Sequence, residues 1–161
     1  MSDNVCCPVF DPVPWDEKAH NWEGKAFLTA TVKQFFHMPL PGNYGRTIAK
    51  LQKEAKDNGI MPDEKNIMLL SFDISPWKSE LYFAVTGEKP GVATTKLSGE
   101  YISKTFDGPY NNMSQYIDEF EDFAHAMHKK LGKYFFWYTT CPKCAKKYGH
   151  NYIVVLGEVA A

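Results

Sequence analysis

Arginine is almost missing. Arg46 is the single arginine in 161 residues, so the guanidinium forks that grip phosphate in nucleic-acid binders are not there. Neither charge is in excess: 18 Lys and Arg face 19 Asp and Glu, for a formal net charge of −1. That balance is too even to hold a phosphate backbone, and the pairs Lys129-Lys130 and Lys146-Lys147 read as solvated charge. No apolar run approaches the ~18 residues that a bilayer span needs. Met1-Ser-Asp-Asn-Val5 lacks the basic and apolar regions of a signal peptide, so a cytoplasmic protein off the membrane is expected. There is no serine nucleophile elbow, P-loop or dinucleotide fingerprint, and no cofactor is expected to be required for chemistry. What the chain has in quantity is aromatic residues, 11 Phe, 9 Tyr and 4 Trp. Such a composition excludes disorder and points to a thick core or an aromatic-lined cavity.

Residues 1–28 have no periodicity but carry Phe10, Trp15 and Trp22, and read as an irregular N-terminal arm that inserts its aromatics into the domain. Thr31–Met38 is β-branched and aromatic, hence a strand. Tyr44, Ile48, Leu51 and Ala55 recur at helical spacing, with Asn58-Gly59 as the stop. Residues 66–74 and 80–86 read as two strands joined by a turn at Ser75–Lys78. The order then recurs: a strand at 100–106, a break at Asp107-Gly-Pro-Tyr110, a helix from Met113 to Leu131, and strands at 133–140 and 151–159. The expected class is α+β, a tandem pseudo-repeat of strand-helix-strand-strand in one domain, 29–161. Repeat one is 29–87, the linker 88–96 and repeat two 97–159. One helix covers only one face of a small sheet, so two such units paired about a pseudo-two-fold axis leave a concave groove between their uncovered faces.

The duplicated order, the Gly-x-Tyr step before each helix and Ser79-Glu-Leu-Tyr-Phe-Ala-Val85 resemble the GyrI-like small-molecule-binding family over residues 29–159. The closing segment Cys141-Pro-Lys-Cys-Ala-Lys-Lys-Tyr-Gly-His-Asn-Tyr152 is similar to that of small bacterial proteins labelled hydrolases within this group. The resemblance implies a groove that accepts flat or bulky hydrophobic molecules. In the family's transcriptional regulators it senses drugs, often cationic ones. In stand-alone members it is similar to a hydrolase site that opens cyclopropane-bearing genotoxins. This chain carries no helix-turn-helix segment, which favours the stand-alone reading. Glu80 stands at the family's carboxylate position, while the second half offers His150 or Asn151 there, so the site holds at most one of two carboxylates.

Strand alternation puts Leu81, Phe83 and Val85 on one face, toward the helix, and Glu80, Tyr82 and Ala84 on the other. A carboxylate among aromatics is suited to proton transfer, to activating water, or to pairing with a cationic ligand; otherwise Glu80 is an ordinary exposed strand glutamate. Tyr82, Tyr101, Trp137, Tyr44 and Tyr110 are the candidate walls of the groove, with core packing as the alternative for each. Cys141-x-x-Cys144 is half a zinc site, and Cys6 and Cys7, or one of these with His150, would complete a closed, structural centre that staples the arm to the last hairpin; the alternative is free thiols. A redox reading fits poorly with a C-x-x-C placed in a loop between strands. The expected function is binding, and hydrolysis, of a bulky hydrophobic small molecule by a monomer or homodimer. The alternatives are a non-catalytic ligand-binding protein and a zinc-stabilised scaffold.

Overall fold

The computed structural model describes residues 9–36, 38, 39, 42–140 and 142–160. Contacts divide the chain into two compact units, one spanning Trp22–Ser98 and the other running from Gly99 onward together with residues up to Asn21. Each is mixed α/β, with an antiparallel sheet and a helix against one face. No helix among the described residues is long and apolar enough to cross a membrane.

In the first unit the strands β1 (Lys18–Phe35, from Trp22 onward), β2 (Met38–Pro39), β3 (Leu69–Ser75) and β4 (Lys78–Ala84) line up in the order β2-β1-β4-β3. Helix α1 (Asn43–Asp57) forms because Tyr44, Ile48, Leu51 and Ala55 fall on one side of it. That side packs on Leu28, Val32, Leu69, Leu81 and Phe83. Burying each large side chain contributes about 1.5–3 kcal/mol. The helix closes where Gly59 turns left-handed (φ 70) and the N–H groups of Gly59 and Ile60 reach back to the carbonyls of Lys56 and Ala55.

The second unit orders β5 (Thr95–Asp107, from Gly99 onward), β6 (Leu131–Tyr138) and β7 (Tyr152–Val159) as β6-β7-β5. Helix α2 (Met113–Ala126) buries Tyr116, Phe120 and Ala124 against Ile102, Phe106, Ile153 and Val155. The arm belongs to this unit. Trp15 donates its backbone N–H to Pro12 in a short helical turn, and its carbonyl accepts from the Ser103 hydroxyl at 2.8 Å. Asp16 accepts from the Thr105 N–H, and Glu17 pairs with Lys104 at 2.6 Å.

Three expectations change. The irregular arm is shorter than 1–28, because β1 starts at Lys18; His20 and Trp22 alternate with exposed Ala19, Asn21 and Glu23, and the charged residues hide this period of two in the sequence. Helix α2 stops at Ala126 instead of Leu131. His128 takes φ 58 and the Lys129 N–H bonds to the Ala124 carbonyl, which ends the helix with a non-glycine residue in the position glycine usually fills. The segment between β6 and β7 is not a loop alone but contains helix α3 (Pro142–Tyr148), so the placement used against a redox C-x-x-C does not hold.

Candidate functional site

Strand β4 lies between β1 and β3, with Glu80 opposite Thr31 on one side and Phe72 on the other. Leu81, Phe83 and Val85 point into the α1 core, so alternation puts Glu80 and Tyr82 on the face away from the helix. There the Tyr82 hydroxyl donates to Glu80 Oε1 at 2.5 Å. The Tyr82 ring is buried and stands edge-on to Phe27, centroids 6.0 Å apart at 84°. Glu80 is half-buried. A phenol that holds one carboxylate oxygen orients the group and leaves the second oxygen to exchange a proton.

The other expected wall residues do not join this pair. Tyr44 packs on the α1 core, on the opposite face of the same sheet, and burial pushes its phenol up. Tyr101 is 0% exposed and lies against Phe135, so it is a core residue with no surface to offer a ligand. Trp137 shares that sheet face, but the arm covers it: Phe10 and Trp15 stand edge-on to its ring at 5.1 and 5.2 Å. Tyr110 sits beside Tyr138 on the α2 side of its sheet. In a chain this aromatic, core and arm packing absorb most of the rings that sequence alone assigns to a cavity. Of the four cysteines, Cys6, Cys7 and Cys141 lie outside the described residues, and Cys144 is buried on α3. Among the described residues no group of three His, Cys, Asp or Glu is placed to hold a metal ion.

A second cluster was not expected. At the end of β5 and the start of β7, Asp107 Oδ2 meets His150 Nδ1 at 2.7 Å and Asp107 Oδ1 accepts the Asn151 N–H at 2.9 Å. Asn151 is held in turn, its Nδ2 donating to the Gly108 carbonyl and its Oδ1 accepting from the Thr140 hydroxyl. Burial alone would raise the Asp107 carboxyl, but the bonds from His150 and Asn151 outweigh it and hold the group below its usual range. The His150 ring stacks on Tyr152, centroids 5.1 Å apart at 12°. Beside them is a cleft of about 280 Å³ lined by Val9, Phe10, Thr140, Tyr148, His150 and Tyr152. In the sequence Asp107 reads only as a strand breaker before Gly-Pro, 43 residues from its partner, and no local spacing joins the two.

No curated protein is significantly similar to the chain in sequence. Among solved structures, an uncharacterized conserved protein from Listeria innocua matches 90% of this chain and 92% of its own at a TM-score of 0.61 and 11% identity, a likeness of fold. A structure of SAV2435 bound to tetraphenylphosphonium covers 91% of this chain and 94% of its own, at a TM-score of 0.46 and 13% identity, and is too distant to bear on the site. The sequence itself is more specific: the profile of the family described as bacterial hydrolase matches residues 1–159, and the chain belongs to that family.

Proposed function

We propose that the protein hydrolyses a bulky hydrophobic small molecule carrying a strained electrophilic ring, with Glu80 as the group that activates water. The observation that carries this reading is the Tyr82–Glu80 hydrogen bond on the sheet face turned away from α1. Membership of the bacterial hydrolase family supports the reaction class. The substrate class, and the assignment to GyrI-like proteins with two strand-helix-strand-strand repeats, rest on the Gly-x-Tyr steps and the Ser79–Val85 segment. In the reaction, the Glu80 carboxylate takes a proton from water as the water oxygen bonds to the electrophilic ring carbon. The strained carbon–carbon bond breaks, and its electron pair moves onto the rest of the substrate. Glu80 then returns the proton there, so that the product is substrate plus one water and the carboxylate is restored. Tyr82 keeps one carboxylate oxygen fixed throughout.

Mass spectrometry tests this with a panel of bulky electrophiles, cyclopropane-bearing ones included, incubated with the wild type and Glu80→Gln. A product heavier by one water is expected, with turnover reduced roughly 10²–10⁴-fold in the variant, the usual contribution of a general acid–base group. Wild-type rates in Glu80→Gln remove Glu80 from the chemistry. Retained ligand with no new mass makes the protein a binder, in which Glu80 acts as counter-ion to a cationic ligand.

A further inference from the structure

The cleft beside Asp107 and His150 is separate in residues from Glu80 and Tyr82, and its chemistry is different. At neutral pH the Asp107 carboxylate is an acceptor, so the bond at 2.7 Å puts the histidine proton on Nδ1. In the neutral imidazole Nε2 then carries the lone pair, and His150 lines the cleft. The bond network that runs through Asn151 to Gly108 also holds Thr140, which lines the cleft. Phe10 and Tyr152, their ring centroids 5.7 Å apart at 51°, supply apolar wall, and the His150 ring extends the surface of Tyr152. A hydrogen bond that only tied two strand ends together would need neither an open space nor aromatic sides.

The order Glu80-Leu-Tyr82 at β4 has a counterpart in His150-Asn-Tyr152 at β7. In both, a polar residue stands two positions before a tyrosine on the last strand of its unit, on the face away from the helix, since Ile153 packs on α2. In the first the tyrosine hydroxyl reaches the acid; in the second the tyrosine ring carries the base. The volume of about 280 Å³ lies just below the ~300–1,000 Å³ usual for small-molecule sites, which suits one or two rings.

We propose that this cleft is a second binding site, which takes a one- or two-ring aromatic molecule bearing a hydroxyl group, with the ring laid against Phe10 and Tyr152 and the hydroxyl donating to His150 Nε2. The hydroxyl makes the ligand specific. The methyl ether of the same shape cannot donate and forgoes that bond, a loss of about tenfold in affinity for one neutral hydrogen bond.

Calorimetric titration with 4-cyanophenol and with its methyl ether, 4-methoxybenzonitrile, tests the proposal on the full chain. The phenol is expected to bind saturably at one site and the ether about tenfold more weakly or not at all. His150→Phe keeps a stacking ring and removes the acceptor, so it should bring the phenol down to the level of the ether; Tyr152→Ala should weaken both ligands. Glu80→Gln should leave both titrations unchanged, so that failure here and failure of the hydrolase reading are told apart. Equal affinities for phenol and ether, no saturable phenol binding at low-millimolar concentration, or wild-type affinity in a folded His150→Phe would each overturn it. The phenol–ether comparison on the wild type stands even where a variant fails to fold.

Discussion

His20 shows how one side chain ties the arm to a sheet. Its Nε2 lies 2.7 Å from the Ser103 hydroxyl, which itself donates to the Trp15 carbonyl, so Nε2 must carry a proton and donate. The ring packs against Trp15 at 4.6 Å, and burial holds its pKa below 6.5. A histidine depressed in the folded state resists charging there but charges freely in the unfolded chain. Its contribution is therefore intact above pH 6.5 and is lost progressively as pH falls through that value toward the folded pKa. Lowering the pH from about 7.5 to 5.5 should lower the unfolding midpoint, and His20→Gln, which keeps a donor at the same reach but does not titrate, should flatten that slope. Equal slopes in the two proteins would take His20 out of the account. Position and role part company at this scale. The face shared by Glu80 and Tyr82 was legible because alternation needs only the apolar run Leu81, Phe83, Val85. The pairing of Asp107 with His150 was not, because it joins the end of one strand to the approach of another through a register that sequence does not print.

Among the elements, the helices were the easiest to read and their ends the hardest. Helix α1 announced itself by apolar spacing and by Gly59. Helix α2 has the same closure, with the Lys129 N–H bonded to the Ala124 carbonyl, but His128 occupies the left-handed position at φ 58 and gives no signal of a stop. Left-handed backbone costs a residue with a Cβ about 1 kcal/mol, and His128 is exposed. His128→Gly should therefore raise stability by about 0.5–1 kcal/mol in a denaturant titration, and a loss would mean that the side chain has a further role. Gly157 on β7 shows the opposite dependence. A Cβ there would stand 2.7 Å from Leu131 Cδ2 and 2.9 Å from the buried Phe120 ring. The helix approaches the sheet closely because that position is bare, and Gly157→Ala should destabilise by about 1–3 kcal/mol as Phe120 is forced out of place. An unchanged denaturation midpoint would show that the α2–sheet layer can open without cost.

Over the whole chain, the unit Trp22–Ser98 is one continuous stretch, whereas the other is assembled from both ends. The contacts that close it are distant in sequence, His20 to Ser103 across 83 residues, Ser103 to Trp15 across 88 and Thr105 to Asp16 across 89. Ordering so long a separation has an entropic cost that grows slowly with length, and a few well-packed aromatic contacts offset it. Phe10 and Trp15 supply them by covering Trp137, and Phe10 also covers Tyr152. The aromatic richness of the arm was legible as a sign of insertion, but its target was not, since Trp137 read equally well as the wall of an open groove. Deleting residues 1–17 should therefore expose the Trp137 face. The expected result is a loss of roughly 2–4 kcal/mol in unfolding free energy from the lost apolar burial and ring contacts, together with new binding of an apolar fluorescent dye. The same deletion removes Phe10 from the cleft beside His150, so 4-cyanophenol affinity should fall in the same protein. If stability and dye binding stay at wild-type levels, the arm is an ornament on the sheet; if they change and phenol affinity does not, the arm closes the unit but forms no part of the cleft.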